Sequence, residues 1–162
     1  MNKNAIEQME ADIKGHDFSK EKIAIIIPYF NQDLTEELLE NCLKTLIENG
    51  INEENIKISK VGGALETPLL CQQIAESLNH SGIITLGAVI KGETLHYDLV
   101  CNSSYQGIME VQLKFGIPIV FGILTCDNVK QVENRCSKAG LNKGKEFALS
   151  TLLQIIRIKH EH

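Results

Sequence analysis

The stretch that most constrains the fold is the uncharged run from Ile83 to Ile90, which is followed by the turn Gly92-Glu93-Thr94 and then by His96. An apolar run of this kind predicts a strand buried on both faces, and the polar turn predicts the start of a helix. The first N–H groups of a helix have no partner within the helix, and the helix dipole favours negative charge there. Because an imidazole changes its charge near neutral pH, the stretch predicts a site that binds an anion and moves protons.

Three further segments are predicted to be strands, and helical patterns alternate with all four. Ile23 to Ile27 are consecutive apolar residues, as in strands covered on both faces. Asp33 and Glu36 have the spacing of a capping box and predict the first turn of the next helix. The alternation predicts an α/β domain with a four-stranded parallel sheet and helices on both faces, a three-layer α/β/α sandwich. The predicted strands are 22–28, 55–61, 83–90 and 117–124, and the predicted helices are 33–49, 68–79, 96–115, 128–138 and 142–156.

In open parallel sheets the ligand lies beyond the carboxyl ends of the strands. The segments that follow the four predicted strands are 28–31, 62–66, 91–96 and 125–127. We therefore expect these four segments to converge on one rim of the sheet and to form the site.

The chain of 162 residues contains no internal repeat and no low-complexity linker, so it is predicted to form a single domain. Residues 1–21 show no apolar periodicity and are predicted to be an N-terminal arm that a partner subunit orders. Residues 22–162 are predicted to form the folded domain.

Charge and composition restrict the partners. The net charge of −5 argues against a nucleic-acid-binding surface. No apolar run approaches the ~18 residues of a membrane span, and the polar start lacks a signal-peptide core, so we expect a cytoplasmic protein without a membrane partner. The five cysteines form an odd set without a C-x-x-C pair, which favours reduced, buried thiols. The histidines show no metal-ligand spacing, and we expect no metal.

Several segments together resemble one enzyme family. Residues 87–98, Gly-Ala-Val-Ile-Lys-Gly-Glu-Thr-Leu-His-Tyr-Asp, are similar to the signature of the lumazine synthases. Residues 63–68 resemble the family's turn before a helix, residues 121–125 its fourth strand, and residues 131–144 its region with an arginine and an Asn-Lys-Gly sequence. Order and approximate spacing agree from about residue 22 to the last helix, which a chance match to one motif would not produce.

The resemblance implies a flavodoxin-like fold and a transferase of riboflavin biosynthesis. Such an enzyme condenses 5-amino-6-(D-ribitylamino)uracil with 3,4-dihydroxy-2-butanone 4-phosphate and releases 6,7-dimethyl-8-ribityllumazine, phosphate and water. The reaction needs proton transfer, phosphate elimination and ring closure, and it needs no metal or redox cofactor.

By the resemblance, His96 is the proton donor, and an imidazole with a pKa near ~6.5 suits that task. The backbone around Glu93 and Thr94 and the guanidinium of Arg135 are implied to bind the phosphate. Arginine is scarce in this chain, and its planar fork fits a phosphate, although an exposed helical arginine would be the ordinary interpretation. Lys138 lies one position away from the lysine that the family carries there.

The resemblance also implies the residues that bind the pyrimidine and its ribityl chain. Phe30 would cover the heterocycle, although core packing is the simpler interpretation. Glu66 would accept hydrogen bonds from ribityl hydroxyls, or else would be an N-terminal helix charge. Phe121, a core residue by default, is implied to reach the site of a neighbouring subunit. The full predicted set is Phe30, Ala64, Leu65, Glu66, Ala88, Val89, Ile90 and Phe121.

The resemblance implies a homo-oligomer. Lumazine synthases form pentamers with active sites between adjacent subunits, and in some of them twelve pentamers form a hollow 60-subunit shell. The short connection from Lys138 to Asn142 lacks the insertion that would keep pentamers apart. Riboflavin synthase is a further expected partner.

Two other classes remain open from the sequence. The first is a flavodoxin-like binding module, either a flavin carrier or a receiver domain, and the second is a diverged paralogue. A flavodoxin-like flavin carrier would need a Ser/Thr/Gly-rich phosphate loop after the first strand, and residues 28–32 do not have that composition. A receiver domain would need an acidic residue at the same place. A diverged paralogue, used for storage or acting like riboflavin synthase, is the second alternative.

Overall fold

A computed structural model describes residues 3–160. Its four strands are all parallel, in the spatial order β2-β1-β3-β4. The strands are β1 (Ile23–Pro28), β2 (Ile56–Val61), β3 (Gly82–Ile90) and β4 (Ile119–Cys126). The prediction of an α/β domain with a flavodoxin-like four-stranded parallel sheet is confirmed.

Helices cover both faces of this sheet. Those described are α1 (Lys3–Ile13), α2 (Gln32–Glu48), α3 (Thr67–Glu76), α4 (His96–Phe115), α5 (Val129–Cys136) and α6 (Lys143–His160). One hydrophobic core lies between the sheet and helices α1, α2, α5 and α6, and the other lies between the sheet and helices α3 and α4. The three layers follow from the central strands β1 and β3, which are buried on both faces along most of their length.

Strand β1 shows why the apolar runs are continuous. Ile23 and Ile25 point into the core with α2 and α6, whereas Ala24 and Ile26 point into the core with α3 and α4. Successive side chains of a strand face opposite sides, so a strand between two helical layers needs apolar residues at every position. The edge strand β2 has mostly accessible side chains and carries lysines, which discourage pairing with another sheet.

Strands β1 and β3 separate before they end. Their pairing stops at Ile26 and Thr85, although β3 continues beside β4 to Ile90. Strand β1 instead stays with β2, because Pro28 pairs with Val61 and the Tyr29 N–H donates to the Val61 carbonyl at 2.9 Å. The two central strands therefore leave a split at their carboxyl ends.

The prediction for the N-terminal segment is wrong in its local structure. Residues 3–13 form helix α1, and Ile6, Ile13 and Phe18 are buried in the core beside α6. Ile6, Met9 and Ile13 recur at helical spacing, but this stripe is short and lies among charged residues, so the periodicity is weak. The segment packs against α6 of its own chain.

The predicted capping box at the start of α2 is also wrong. The helix begins at Gln32, and the residue before it, Asn31, has a left-handed backbone with φ of 60°. Its side chain makes no capping hydrogen bond to the helix.

None of the helices described has the length and apolar character needed to cross a membrane.

Helix α6 approaches α2 so closely that Gly144 has no room for a side chain. A Cβ at this position would lie 2.3 Å from the Leu38 carbonyl oxygen and 2.9 Å from the Cys42 nitrogen. We expect Gly144→Ala to lower the free energy of unfolding by about 1–3 kcal/mol, because backbone atoms of α2 must move. Urea unfolding followed by circular dichroism measures this change. Gly92→Ala is the control, since a Cβ there meets no atom within 4 Å; equal stability of the two variants would contradict the close approach.

Candidate active site at the split between two strands

The split between β1 and β3 opens into a cleft of about 350 Å³. This is the point where the strand order reverses direction, which is where open α/β sheets bind ligands. The volume suits a small molecule. The cleft is lined by Pro28, Phe30, Asn31, Gly63, Ala64, Leu65, Glu66, Ala88, Val89, Ile90, His96, Val100 and Ile123.

Eight of the predicted site residues lie together in this cleft. They come from the loop after β1, the turn before α3, the end of β3 and the start of α4. The fourth segment expected at the site, 125–127, does not line this cleft, and its Thr125 lies in another pocket. These residues are Phe30, Ala64, Leu65, Glu66, Ala88, Val89, Ile90 and His96.

Phe30 is not a core residue. Its side chain is 74% exposed, and it stands beside Gly63, whose added Cβ would lie 3.5 Å from the phenyl ring. An exposed aromatic ring at the wall of a cleft offers a flat apolar surface for a second ring.

Glu66 has a local structural role. One carboxylate oxygen accepts a hydrogen bond from the Gly63 N–H at 2.7 Å, which closes the turn that leads into α3. A carboxylate has about four acceptor positions, so this bond leaves further capacity for donors in the cleft. The interpretation as a helix N-terminal charge and the interpretation as a ligand acceptor are compatible.

His96 is the first residue of α4, and its side chain lies in the cleft. Its backbone N–H donates to the Thr94 hydroxyl at 3.3 Å, so the side chain of Thr94 supports the helix start. Glu93 and Thr94 lie on the exposed turn between β3 and α4, outside the cleft lining. Burial raises the pKa of the adjacent Tyr97, and the side chain of Thr125 opposes that rise.

The structure places two predicted residues, Phe121 and Arg135, in a second pocket of the same chain. Helix α4 contributes His96 and Val100 to the cleft but Tyr105 to this second pocket. The rings of Phe121 and Tyr105 pack edge to face, with centroids 5.0 Å apart and an interplanar angle of 80°. The second pocket is lined by Cys101, Asn102, Tyr105, Phe121, Ile123, Leu124, Thr125 and Arg135.

Arg135 is oriented by its own helix. Its guanidinium Nη1 donates to the Gln131 carbonyl at 3.0 Å, and the Gln131 N–H donates to the Asn128 side chain at 3.0 Å, which caps α5. A guanidinium has five N–H donors, so the fork keeps donors for an anion. Burial raises the pKa of the neighbouring Cys126 thiol, and the charge of Arg135 opposes that rise.

Lys138 lies in neither pocket. It is exposed in the connection between α5 and α6, where its backbone N–H donates to the Glu37 carboxylate at 2.7 Å.

Sequence reasoning did not select Asn31, Asn102 or Tyr105. Asn31 could have been selected because it lies in the loop after β1, where the strand order reverses, and because asparagine tolerates a left-handed backbone. No comparable signal marks Asn102 and Tyr105, which belong to a long helix.

The five cysteines are free thiols, as predicted. Burial raises the pKa of Cys42 and of Cys71 to about 12. Among residues 3–160, no group of three His, Cys, Asp or Glu side chains is arranged to hold a metal ion.

Comparison with known proteins shows the family of the chain. The family model for 6,7-dimethyl-8-ribityllumazine synthase matches residues 20–159. The chain belongs to the lumazine synthase family. The 6,7-dimethyl-8-ribityllumazine synthase of Leuconostoc mesenteroides is 45% identical over 142 residues, which cover 88% of this chain and 90% of that protein. The enzyme of the same name from Pediococcus pentosaceus is 44% identical over 141 residues, covering 87% of this chain and 90% of that protein.

Two substitutions of Glu66 test whether its hydrogen bond to Gly63 or its negative charge stabilises the turn in this member of the lumazine synthase family. Glu66→Gln keeps an acceptor for the Gly63 N–H, whereas Glu66→Ala removes it. We expect the alanine variant to lose about 1 kcal/mol of unfolding free energy and the glutamine variant to lose much less. Urea unfolding measures both; equal losses would show that the negative charge, rather than the hydrogen bond, stabilises the turn.

Proposed function

We propose that the chain condenses 5-amino-6-(D-ribitylamino)uracil with 3,4-dihydroxy-2-butanone 4-phosphate to form 6,7-dimethyl-8-ribityllumazine, phosphate and water, as a transferase of riboflavin biosynthesis. The observation that carries the proposal is the cleft itself. It brings an exposed aromatic ring, a carboxylate, strand-end backbone and a histidine to one place, in a chain of the lumazine synthase family.

The pyrimidine occupies the part of the cleft between Phe30 and the end of β3. Phe30 supplies a stacking surface, which contributes about 0.5–1.5 kcal/mol beyond area burial. Ala88, Val89 and Ile90 present backbone donors and acceptors to the heterocycle, and Glu66 accepts hydrogen bonds from ribityl hydroxyls.

His96 moves protons at the reacting carbons. When the primary amine of the pyrimidine adds to the ketone, the carbonyl oxygen takes one proton from the amine and a second from the imidazolium, and it leaves as water. The nitrogen then loses its second proton to form the imine, and that proton restores the imidazolium. A histidine at a helix N-terminus beside an open cleft can exchange that proton with solvent, since its side chain is exposed. The turn before α4, with Glu93 and Thr94, faces the phosphate end of the second substrate.

The phosphate requires a second copy of the chain. Arg135 and Phe121 lie in the second pocket, on the other side of α4 from His96. We propose that an adjacent subunit places its Arg135 and Phe121 against the cleft, so that the guanidinium holds the phosphate by two hydrogen bonds. Lys138 is a weaker candidate for this role, because it lies outside both pockets.

Exposed apolar side chains on α3 and α4 support a homo-oligomer. Leu69, Leu99 and Leu113 are 67%, 65% and 74% exposed, and apolar surface of this kind marks a protein interface. We propose a pentamer in the cytoplasm, and a 60-subunit shell is compatible with the short connection after α5. Riboflavin synthase, which acts on the lumazine product, is the proposed further partner. The alternative of a flavin carrier gains no support, because Tyr29, Phe30 and Asn31 lead directly into α2 without a glycine-rich loop.

Replacement of His96 tests the acid–base role. We expect His96→Ala to lower kcat by about tenfold to a hundredfold with little change in either KM, because proton transfer is lost while binding groups remain. The rate is measured by the absorbance of the lumazine product. His80→Gln is the control, since His80 precedes β3 at the opposite end of the sheet. A His96→Ala variant as fast as the wild type would remove this histidine from the mechanism.

Replacement of Arg135 tests the phosphate role. We expect Arg135→Ala to raise the KM of the phosphate substrate about tenfold to a hundredfold and to change the KM of the pyrimidine little. Arg157→Ala is the matched control, because Arg157 pairs with Asp12 at 2.6 Å on the α1–α6 side of the sheet. A similar rise for both substrates would instead assign Arg135 a structural role.

The same two variants test the shared site. His96→Ala and Arg135→Ala chains, unfolded together in equal amounts and refolded, should regain activity in about a quarter of their sites, since one interface in four pairs two intact residues. Separate refolding of each variant is the control. Failure of the mixture to exceed the separate samples would place both residues in a site within one subunit.

A further inference from the structure

Asn31 occupies an unusual position for a residue before a helix. It is the N-cap of α2, and asparagine is among the best N-cap residues because its side chain can accept a hydrogen bond from the first turn. Here the side chain makes no such bond. Its amide Nδ2 instead donates to the Ala88 carbonyl at 2.9 Å, across the split between β1 and β3.

The Ala88 carbonyl is one of the acceptors that the split leaves without a backbone donor from β1. The last pair between the strands is Ile26 with Thr85, and the same register continued would bring the N–H of residue 30 to this carbonyl. Strand β1 has by then turned towards β2, as the bond from the Tyr29 N–H to Val61 shows. The amide of Asn31 replaces the missing backbone donor.

The backbone conformation of Asn31 allows its side chain to reach the Ala88 carbonyl. Its φ of 60° and ψ of 24° turn the chain sharply between Phe30 and Gln32. Asparagine and glycine adopt this left-handed region more readily than other residues. One residue therefore turns the chain after β1 and ties the loop that contains Phe30 to β3.

From these contacts we infer that Asn31 is a positioning residue for the pyrimidine: its amide holds the Ala88–Ile90 backbone at a fixed separation from the Phe30 ring. This hydrogen bond joins the loop that contains Phe30, on one wall of the cleft, to the end of β3, on the other wall. Without it, the end of β3 keeps β4 as its only strand neighbour, and the loop with Phe30 loses its connection to β3. The inference rests on the proposed function, because it assigns the pyrimidine to this part of the cleft.

Two substitutions isolate the amide from the backbone conformation. Asn31→Gly keeps access to the left-handed region and removes the donor. Asn31→Asp keeps the shape but places a carboxylate against the Ala88 carbonyl, so that acceptor faces acceptor. We expect each variant to raise the pyrimidine KM roughly three- to tenfold, the effect of one lost hydrogen bond, and to leave the KM of the phosphate substrate within about twofold.

Asn49→Ala is the matched control. Asn49 lies at the other end of α2, where its amide donates to the Thr45 carbonyl at 2.8 Å in a similarly half-buried place. This variant should lose comparable stability with both KM values unchanged. If Asn31→Gly leaves the pyrimidine KM unchanged, or changes both KM values equally, the amide does not position the pyrimidine site and the inference is wrong.

Titration calorimetry with the pyrimidine alone separates this inference from the proposed function. Wild-type protein that binds the pyrimidine but forms no lumazine would contradict the proposed function, and the Asn31 variants would still be tested by their weaker binding. Wild-type protein that neither binds the pyrimidine nor turns over would contradict both. Wild-type activity with unaltered binding in Asn31→Gly would contradict the Asn31 inference alone.

Discussion

The arrangement of the site depends on the point at which β1 stops pairing with β3. Successive N–H groups of a strand point to opposite neighbours, and the Tyr29 N–H points to β2, so the position of Pro28 faces β3. Proline has no N–H, and it cannot continue the ladder there. Gly87 on β3 allows the proline ring to pass closely, since a Cβ there would lie 3.1 Å from it. The cleft is the space that this lost pairing leaves.

Helix α4 contributes residues to both pockets. Its first residue, His96, serves the cleft, while Tyr105 packs on Phe121 in the pocket that holds Arg135. Both pockets lie near the carboxyl ends of the strands, and they share Ile123. The proposed function pairs His96 of one copy with Arg135 of the next copy, an arrangement that a ring of identical subunits provides.

The residues to which the proposed function assigns chemical roles are supported by local hydrogen bonds at the rim of the sheet, outside the hydrophobic core. Thr94 supports the start of α4, Glu66 closes the turn before α3, and Asn31 ties the loop after β1 to β3. Each of these bonds is within a few residues of a strand end. The buried apolar layers fix where the strands end, and short polar contacts at the rim then fix where each functional side chain lies.

The sequence by itself determined the strands and the parallel three-layer arrangement, because continuous apolar runs need burial on both faces and strand ends of a parallel sheet meet at one rim. Its resemblance to the lumazine synthases indicated eight of the residues that line the cleft. It did not reveal helix α1, whose apolar stripe of Ile6, Met9 and Ile13 is too short to stand out among charges. Only the tertiary structure decided that Phe30 is exposed, that Asn31 gives up its helix cap for Ala88, and that Arg135 lies apart from His96. The first two outcomes depend on β1 staying with β2 after it stops pairing with β3, and the third depends on which residues of α4 face each pocket. Contacts between segments far apart in the sequence set both.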